Sequence, residues 1–296
     1  MPSITPPLLR DGVNNMYRIE KLPDADATVT EILGRPVVYL DHWALNDIAL
    51  DDTLRKRFVS VMTAKAGTLR ISITSMVEMI AQGDKSQVAA ILDTVGAVDV
   101  GILNGDVCEV IRRENMLIEN PSLGLDPTSD LELIEDFLRA HEYPSQVSVA
   151  ELLRTPLLAS GGRKKGQPEP YLDRLNSLAA AARSDPAKLK MATSGWQSIK
   201  AKGRQYSAAT RELAQLALYF IVKNKGMKMD RGEWGDVFHV IVPVAYCDAV
   251  LLDGRWKSFV DQTGLRPPEV AAVFDKSGMA EFFEYLEDED YLLGGG

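Results

Sequence analysis

The sequence has little of what several common protein classes need. It contains two cysteines, Cys108 and Cys247, and three histidines, His42, His141 and His239. No CxxC pair occurs and no histidines stand at zinc-ligand spacing, which disfavours a zinc site. Both cysteines sit in apolar stretches and read as reduced core residues of a cytoplasmic protein. No apolar run reaches about 18 residues, so no membrane-spanning helix is expected. The first residues, MPSITPPLLRDGVNN, lack a basic region followed by an apolar stretch, so no secretory signal is expected. There is no GxxxxGK[ST] run, no GxGxxG between a strand and a helix, and no GxSxG. Nucleoside-triphosphate, dinucleotide and serine-hydrolase chemistries are therefore disfavoured. Asp41-His42-Trp43 is also not the DxD of an aspartyl-phosphate phosphatase.

What is present is a chain of 296 residues, 46% of them apolar. That is enough for a sizeable core, in one enlarged domain or in one domain with an inserted subdomain. The net charge of −9 argues at first against a nucleic-acid partner, but its distribution is uneven. Residues 163–228 hold fourteen Lys or Arg against four acids, a net +10, leaving −19 on the rest of the chain. Such asymmetry fits a polyanion-binding face on an acidic body; the plainer reading is a solvated helical surface. Within the window Lys164, Lys165, Lys200, Lys202, Arg204 and Arg211 interleave with Tyr171, Trp196 and Tyr206. Cations there could track phosphates while bases stack on the rings, or the rings could pack inserted helices.

The hydrophobic pattern sets the expected fold. Residues 36–41 form a short apolar run ending in an acid, the signature of a buried parallel strand. A helix over 52–64 follows, closed by Gly67, then a strand over 69–73 and a helix carrying Val77, Glu78 and Ile80. The series continues with a helix over 87–95, a strand over 98–103 and a helix over 106–117. This βα alternation predicts a three-layer α/β/α fold with a central, mainly parallel sheet. Residues 120–229 interrupt it with predicted helices, the longest over 206–225, and a basic Gly-rich loop over 159–170. The α/β pattern resumes with a helix over 234–246, a strand over 249–252, a helix over 256–262, a strand over 271–274 and a helix over 279–286. The expected organisation is an N-terminal arm with a short helix (1–34), a first α/β half (35–119), a helical basic insertion (120–229) and a second α/β half (230–293).

Four acids occupy positions where such a fold binds ligands. Asp41 ends the first core strand, Glu78 lies in the helix after the second, Asp236 opens a helix, and Asp253 ends the strand beginning at Ala249. Open α/β sheets bind beyond the carboxyl ends of their strands. Magnesium and manganese prefer oxygen donors, and two such ions can activate water and stabilise a leaving oxygen. Each acid alone is equally well read as a helix cap. His239, three residues after Asp236, could orient a carboxylate or contact phosphate, or be a satisfied structural histidine. Asn46 could line the mouth of the pocket or belong to a helix cap.

These segments resemble the PIN-domain nucleases. Val37 to Asp41 is similar to the family's opening strand and first metal-binding acid, and Ile73 to Glu78 to the segment bearing its glutamate. Asp236 to His239, followed by Val244 to Asp253, resembles the C-terminal half of the signature. The similarity spans roughly 36–119 and 230–286. It departs from the family in having Leu251-Leu252 where Thr or Ser often precedes the last acid, so Asp248 or Asp253 could be the fourth ligand. It departs again in the insertion of roughly 110 residues. The resemblance implies a Mg²⁺- or Mn²⁺-dependent endonuclease acting most often on RNA. Asp41, Glu78, Asp236 and Asp253 would hold the metal, with Asp248 as ligand or support. A bacterial toxin or an anti-phage effector is compatible with such a nuclease, as is a homo-oligomer or a regulatory protein partner. The rival expectation is an inactive PIN-like module that docks a protein or nucleic acid through its helical insertion. A third is a metal-dependent phosphatase acting on small esters.

Overall fold

Every residue from Val37 to Leu40 is buried, and these four form the middle strand of the main sheet. The computed structural model describes residues 17–20, 28–72, 75–76, 84–123, 126–140, 180–181, 184–185, 187, 209–224 and 231–288. Two short strands come first, β1 (Tyr17–Glu20) and β2 (Thr28–Glu31), paired antiparallel. The described part of the expected arm is therefore a β-ribbon, with no helix among the described residues there.

The main sheet contains β3 (Val37–Leu40), β4 (Thr68–Ser72), β5 (Asp99–Leu103), β6 (Ala249–Leu251) and β7 (Ala272–Phe274). Its order is β5-β4-β3-β6-β7 and all four pairings are parallel. The chain winds outward from β3 to β5, then returns to β3's other side for β6 and β7. The strand order thus reverses between β3 and β6.

Alternation along β3 sends Val38 and Leu40 to one face and Val37 and Tyr39 to the other, and each pair joins a separate core cluster. The first cluster is roofed by α1 (His42–Leu50), α2 (Asp52–Lys65), α3 (Lys85–Val95) and α9 (Met279–Glu287). The second is roofed by α4 (Val107–Glu119), α6 (Ala209–Lys223), α7 (Arg231–Tyr246) and α8 (Gly254–Thr263). The architecture is the three-layer α/β/α fold expected from the pattern. A further helix, α5 (Leu131–Ala140), adds Ile134 to the first cluster.

Aspartates start most of these helices. Asp51, Asp84, Asp106 and Asp253 each accept two backbone N–H groups at a helix N-cap, supplying partners for otherwise orphaned donors. α2 ends differently from expectation. Its left-handed C-cap is Ala66 (φ 52°), not Gly67. Gly67 is needed for space instead: a Cβ there would lie 2.9 Å from the Pro36 carbonyl oxygen.

The long helix expected over 206–225 is described as α6, fifteen residues, with Leu213, Leu216, Ala217, Phe220 and Ile221 buried. It packs in the same cluster as α7 and α8, so this end of the predicted insertion belongs to the α/β body's core. The insertion helices expected over 151–158 and 171–192 lie almost wholly outside the described residues, and His141 lies outside them altogether. Cys247 is buried, but Cys108 is exposed on α4, against expectation. The turn after the Asp106 cap points Val107 and Val110 inward and leaves position 108 on the solvent side. No described helix is long and apolar enough to cross a membrane.

Candidate active site at the carboxyl end of the sheet

The strand order reverses between β3 and β6, and in a doubly wound sheet the carboxyl ends of the strands at such a reversal are the usual ligand position. Leu40 pairs with Leu251, and the next residue, Asp41, donates its N–H to the Leu251 carbonyl at 2.9 Å. Leu252 N–H in turn bonds the Phe274 carbonyl at 2.9 Å. Asp41 and Asp253 therefore leave adjacent strands on the two sides of the reversal, where neighbouring backbones are about 4.8 Å apart. Both also cap helices. Asp41 Oδ1 accepts from His42 N at 2.8 Å, and Asp253 Oδ1 accepts from Arg255 N at 2.8 Å and Trp256 N at 3.0 Å. The capping and metal-binding readings thus coexist at both positions.

A third acid stands beside them that the sequence reading did not single out. Asp275 follows β7 directly, and its Oδ1 accepts from Ser277 N, Ser277 Oγ and Gly278 N. The Ser277 hydroxyl contributes most to holding this carboxyl below the usual aspartate range. A Cβ on Gly254, the residue after Asp253, would lie 3.7 Å from Asp275 Oδ2. The signal was available: Asp275 ends the last strand as Asp41 and Asp253 end theirs. Next to it, Lys276 Nζ bridges to Asp47 Oδ2 at 2.7 Å and sits 5.7 Å from the centre of the Trp43 ring. This cation ties the exit of β7 to α1. On the same helix the Asn46 Oδ1 and Trp43 Nε1 atoms are buried and have no hydrogen-bond partner among the described residues.

Asp248 lies at the other end of β6. Its Oδ2 accepts from Val37 N at 2.7 Å and its Oδ1 from Arg35 Nη1 at 3.1 Å, while its own N–H bonds Val37 O. Five residues of extended chain put it about 16 Å from Asp253. The expectation that Asp248 could serve as a ligand beside Asp41 is corrected: it closes the amino end of the sheet, and Asp253 is the acid on Asp41's side.

Asp236 sits in the second turn of α7, which begins at Arg231, three residues before the start expected at Trp234, so Asp236 does not open the helix. α7 feeds into β6, so its early turns lie towards the carboxyl end of the sheet. The side chain of Asp236 lies outside what is described, as do Glu78, Lys164, Lys165, Lys200, Lys202 and Arg204. Of the basic residues proposed for nucleic acid, Arg211 is described; its Nη2 donates to Asn115 Oδ1 on α4, which ties α6 to its neighbour.

One turn after Asp236, His239 is 8% exposed and enters a closed ring of polar contacts. Its Nδ1 lies 3.3 Å from both Tyr39 OH and Ser72 Oγ; Ser75 Oγ lies 3.3 Å from Tyr39 OH and 3.0 Å from Ser72 Oγ. Three hydroxyl protons can all find acceptors in the sequence Tyr39 to Ser75 to Ser72 to a bare Nδ1. That arrangement uses Nδ1 as an acceptor. Burial pushes the imidazole in the same direction, down to about 4. His239 is therefore neutral at physiological pH.

Among the described residues no group of three or more His, Cys, Asp or Glu side chains is close enough to hold a metal ion. Comparison with protein-family models, with curated proteins and with solved structures gives no match to this chain.

Proposed function

We propose that the chain is a metal-dependent endonuclease of the PIN type, hydrolysing phosphodiester bonds in RNA within the reducing cytoplasm. The observation that carries this reading is the exit of Asp41 and Asp253 from adjacent parallel strands on either side of the strand-order reversal. The early turns of α7, which carry Asp236, lie towards the same end of the sheet.

The donor set is made of carboxylate oxygens, which suits a hard divalent cation such as Mg²⁺ or Mn²⁺ rather than zinc. Asp41, Glu78, Asp236 and Asp253 would hold it, and a bound cation lowers the pKa of water and stabilises charge on phosphate oxygens. The chain's own residues supply the rest. The carboxylates fix the cation at the sheet's switch point, and the helix caps fix Asp41 and Asp253. Lys276, 76% exposed at the same rim, offers a cation to substrate phosphate. The basic residues of 163–228 would hold the polyanion along its backbone, so binding should weaken with salt.

The test is cleavage of labelled single-stranded RNA with Mn²⁺ by the wild type and by Asp41→Asn. Metal-dependent cutting lost in the variant supports the reading; equal cutting by both overturns the assigned site. A second reading draws on Asp41 and Asp253 as helix caps: an inactive module that docks a partner. Failure to cut RNA or DNA, with retention of a partner on pull-down, favours it. Turnover of a nitrophenyl ester, indifferent to charge reversal in 163–228, points to a phosphatase.

A further inference from the structure

The ring formed by Tyr39, Ser72, Ser75 and His239 is buried, and three of its members stand at short, fixed spacings from the proposed acids. Tyr39 precedes Asp41 by two residues in β3, Ser75 precedes Glu78 by three, and His239 follows Asp236 by three. Ser72 joins them from the end of β4 and accepts a further bond from Ser75 N at 3.2 Å. Three chain segments far apart in sequence are thereby fastened to one another through side chains two or three residues from the acids.

We propose that His239 is a positioning residue: through Nδ1 it locks the turn of α7 that carries Asp236 onto β3, next to Asp41, and onto the exit of β4 that leads to Glu78. The inference rests on the metal-site reading for what is positioned, and on the ring alone for how. Both rings are buried, and Tyr39 belongs to the second cluster. Ser72 Oγ donates to Nδ1 and Tyr39 joins the same network through Ser75, so α7 is tied directly to the exit of β4 and through Ser75 to β3. Pro243, four residues on, cannot donate to the His239 carbonyl, so the ladder is weakened there and the side-chain ring has more to hold. Residues that orient metal ligands typically change metal affinity by about 10–100-fold when removed.

The variants are His239→Asn, which can place a polar atom where Nδ1 stands, His239→Gln, whose polar atoms reach the Nε2 position, and His239→Phe, which keeps the ring shape alone. Mn²⁺ affinity is measured by titration calorimetry, and amide exchange over Arg231–His239 is measured without metal. The expected result is Mn²⁺ binding weakened about tenfold or more in His239→Phe and His239→Gln, with faster exchange in that stretch, and near-wild-type values in His239→Asn. Should His239→Phe fail to fold, Tyr39→Phe and Ser75→Ala are expected to give the same two changes to a lesser degree. Wild-type binding with unchanged affinity and exchange in all the variants overturns the positioning role and leaves the metal site standing. No Mn²⁺ binding by the wild type, with exchange still altered in His239→Phe, removes the metal site and keeps the lock. Rescue by Gln rather than Asn overturns the assignment to Nδ1.

Discussion

Gly101 of β5 lies so close to Glu31 that a Cβ placed on it would overlap the Glu31 carboxylate and come within 2.9 Å of Arg70 Nη1. The missing side chain makes room for a buried ion pair. Arg70 and Glu31 are 1% and 2% exposed and meet at 2.6 Å, with Arg70 Nη2 donating to the Thr128 carbonyl and Ser129 Oγ donating to Glu31. The pair joins the N-terminal ribbon to the middle of β4. Removing one partner of such a pair strands the other charge, at a cost of about 3–5 kcal/mol. Glu31→Ala should lower the urea midpoint accordingly. Gly101→Ala should also destabilise, by about 1–3 kcal/mol through overpacking.

His239 sets a pH dependence whose sign follows from its burial. Its folded-state pKa is about 4, below the ordinary histidine value of 6.5, so the unfolded chain binds more protons between those values. The stability from keeping it neutral is present above about pH 6.5 and is lost as pH falls towards about 4, up to about 3 kcal/mol. Thermal melts from pH 7 to 4 should show this slope in the wild type, and His239→Asn should flatten it. Carboxylates with depressed pKa values, such as Glu109 at about 2, lose their contribution lower on the scale.

Asp41 and Asp253 each cap a helix, so substitutions can separate capping from chemistry. Asn caps as well as Asp, whereas Ala at Asp253 should cost about 1 kcal/mol of stability. Asp253→Asn and Asp41→Asn should melt near the wild type. Each should reduce Mn²⁺-dependent cleavage by about 100-fold or more, since metal stabilisation of a phosphoryl transition state is worth several kcal/mol. Normal cleavage by Asp253→Asn would remove that residue from the site.

Asp248 should behave in the opposite way. Its carboxylate holds the Val37 amide and Arg35 at the amino end of the sheet. Asp248→Ala should lower stability by about 1–3 kcal/mol and leave Mn²⁺ affinity unchanged. Weaker Mn²⁺ binding in a folded Asp248→Ala would return it to the list of ligands.

Ala66 adopts a left-handed conformation at the end of α2. Glycine takes that conformation without the Cβ penalty, so Ala66→Gly should stabilise by about 1 kcal/mol. An unchanged or lower melting temperature would argue against this cap geometry.

Much of the fold was legible in the sequence because periodicity reports burial directly. The all-apolar run from Val37 to Leu40 could only be a strand covered on both faces, and it is the middle strand. Asp41 and Asp253 were legible because an acid directly after such a run must emerge at the strand's carboxyl end. Asp248 was offered by the departure from the family signature at Leu251-Leu252, not by the apolar pattern: the strand expected over 249–252 already left Asp248 at its amino end, as β6 does. Arg70 was hidden for a different reason. A charge inside a strand has no sequence signature until Glu31, thirty-nine residues away, is seen to neutralise it.

The sequence by itself determined the strands of the main sheet, most of the described helices that cover it, and that Asp41 and Asp253 end strands, since propensity, alternation and capping act over a few residues. The tertiary structure alone decided that β6 returns to the open side of β3, that Asp275 joins the same rim, and that His239 closes a ring with Tyr39, Ser72 and Ser75. Those relations depend on contacts between residues as many as 211 positions apart. Such contacts are chosen by how whole layers bury their apolar faces, and no local pattern encodes that choice.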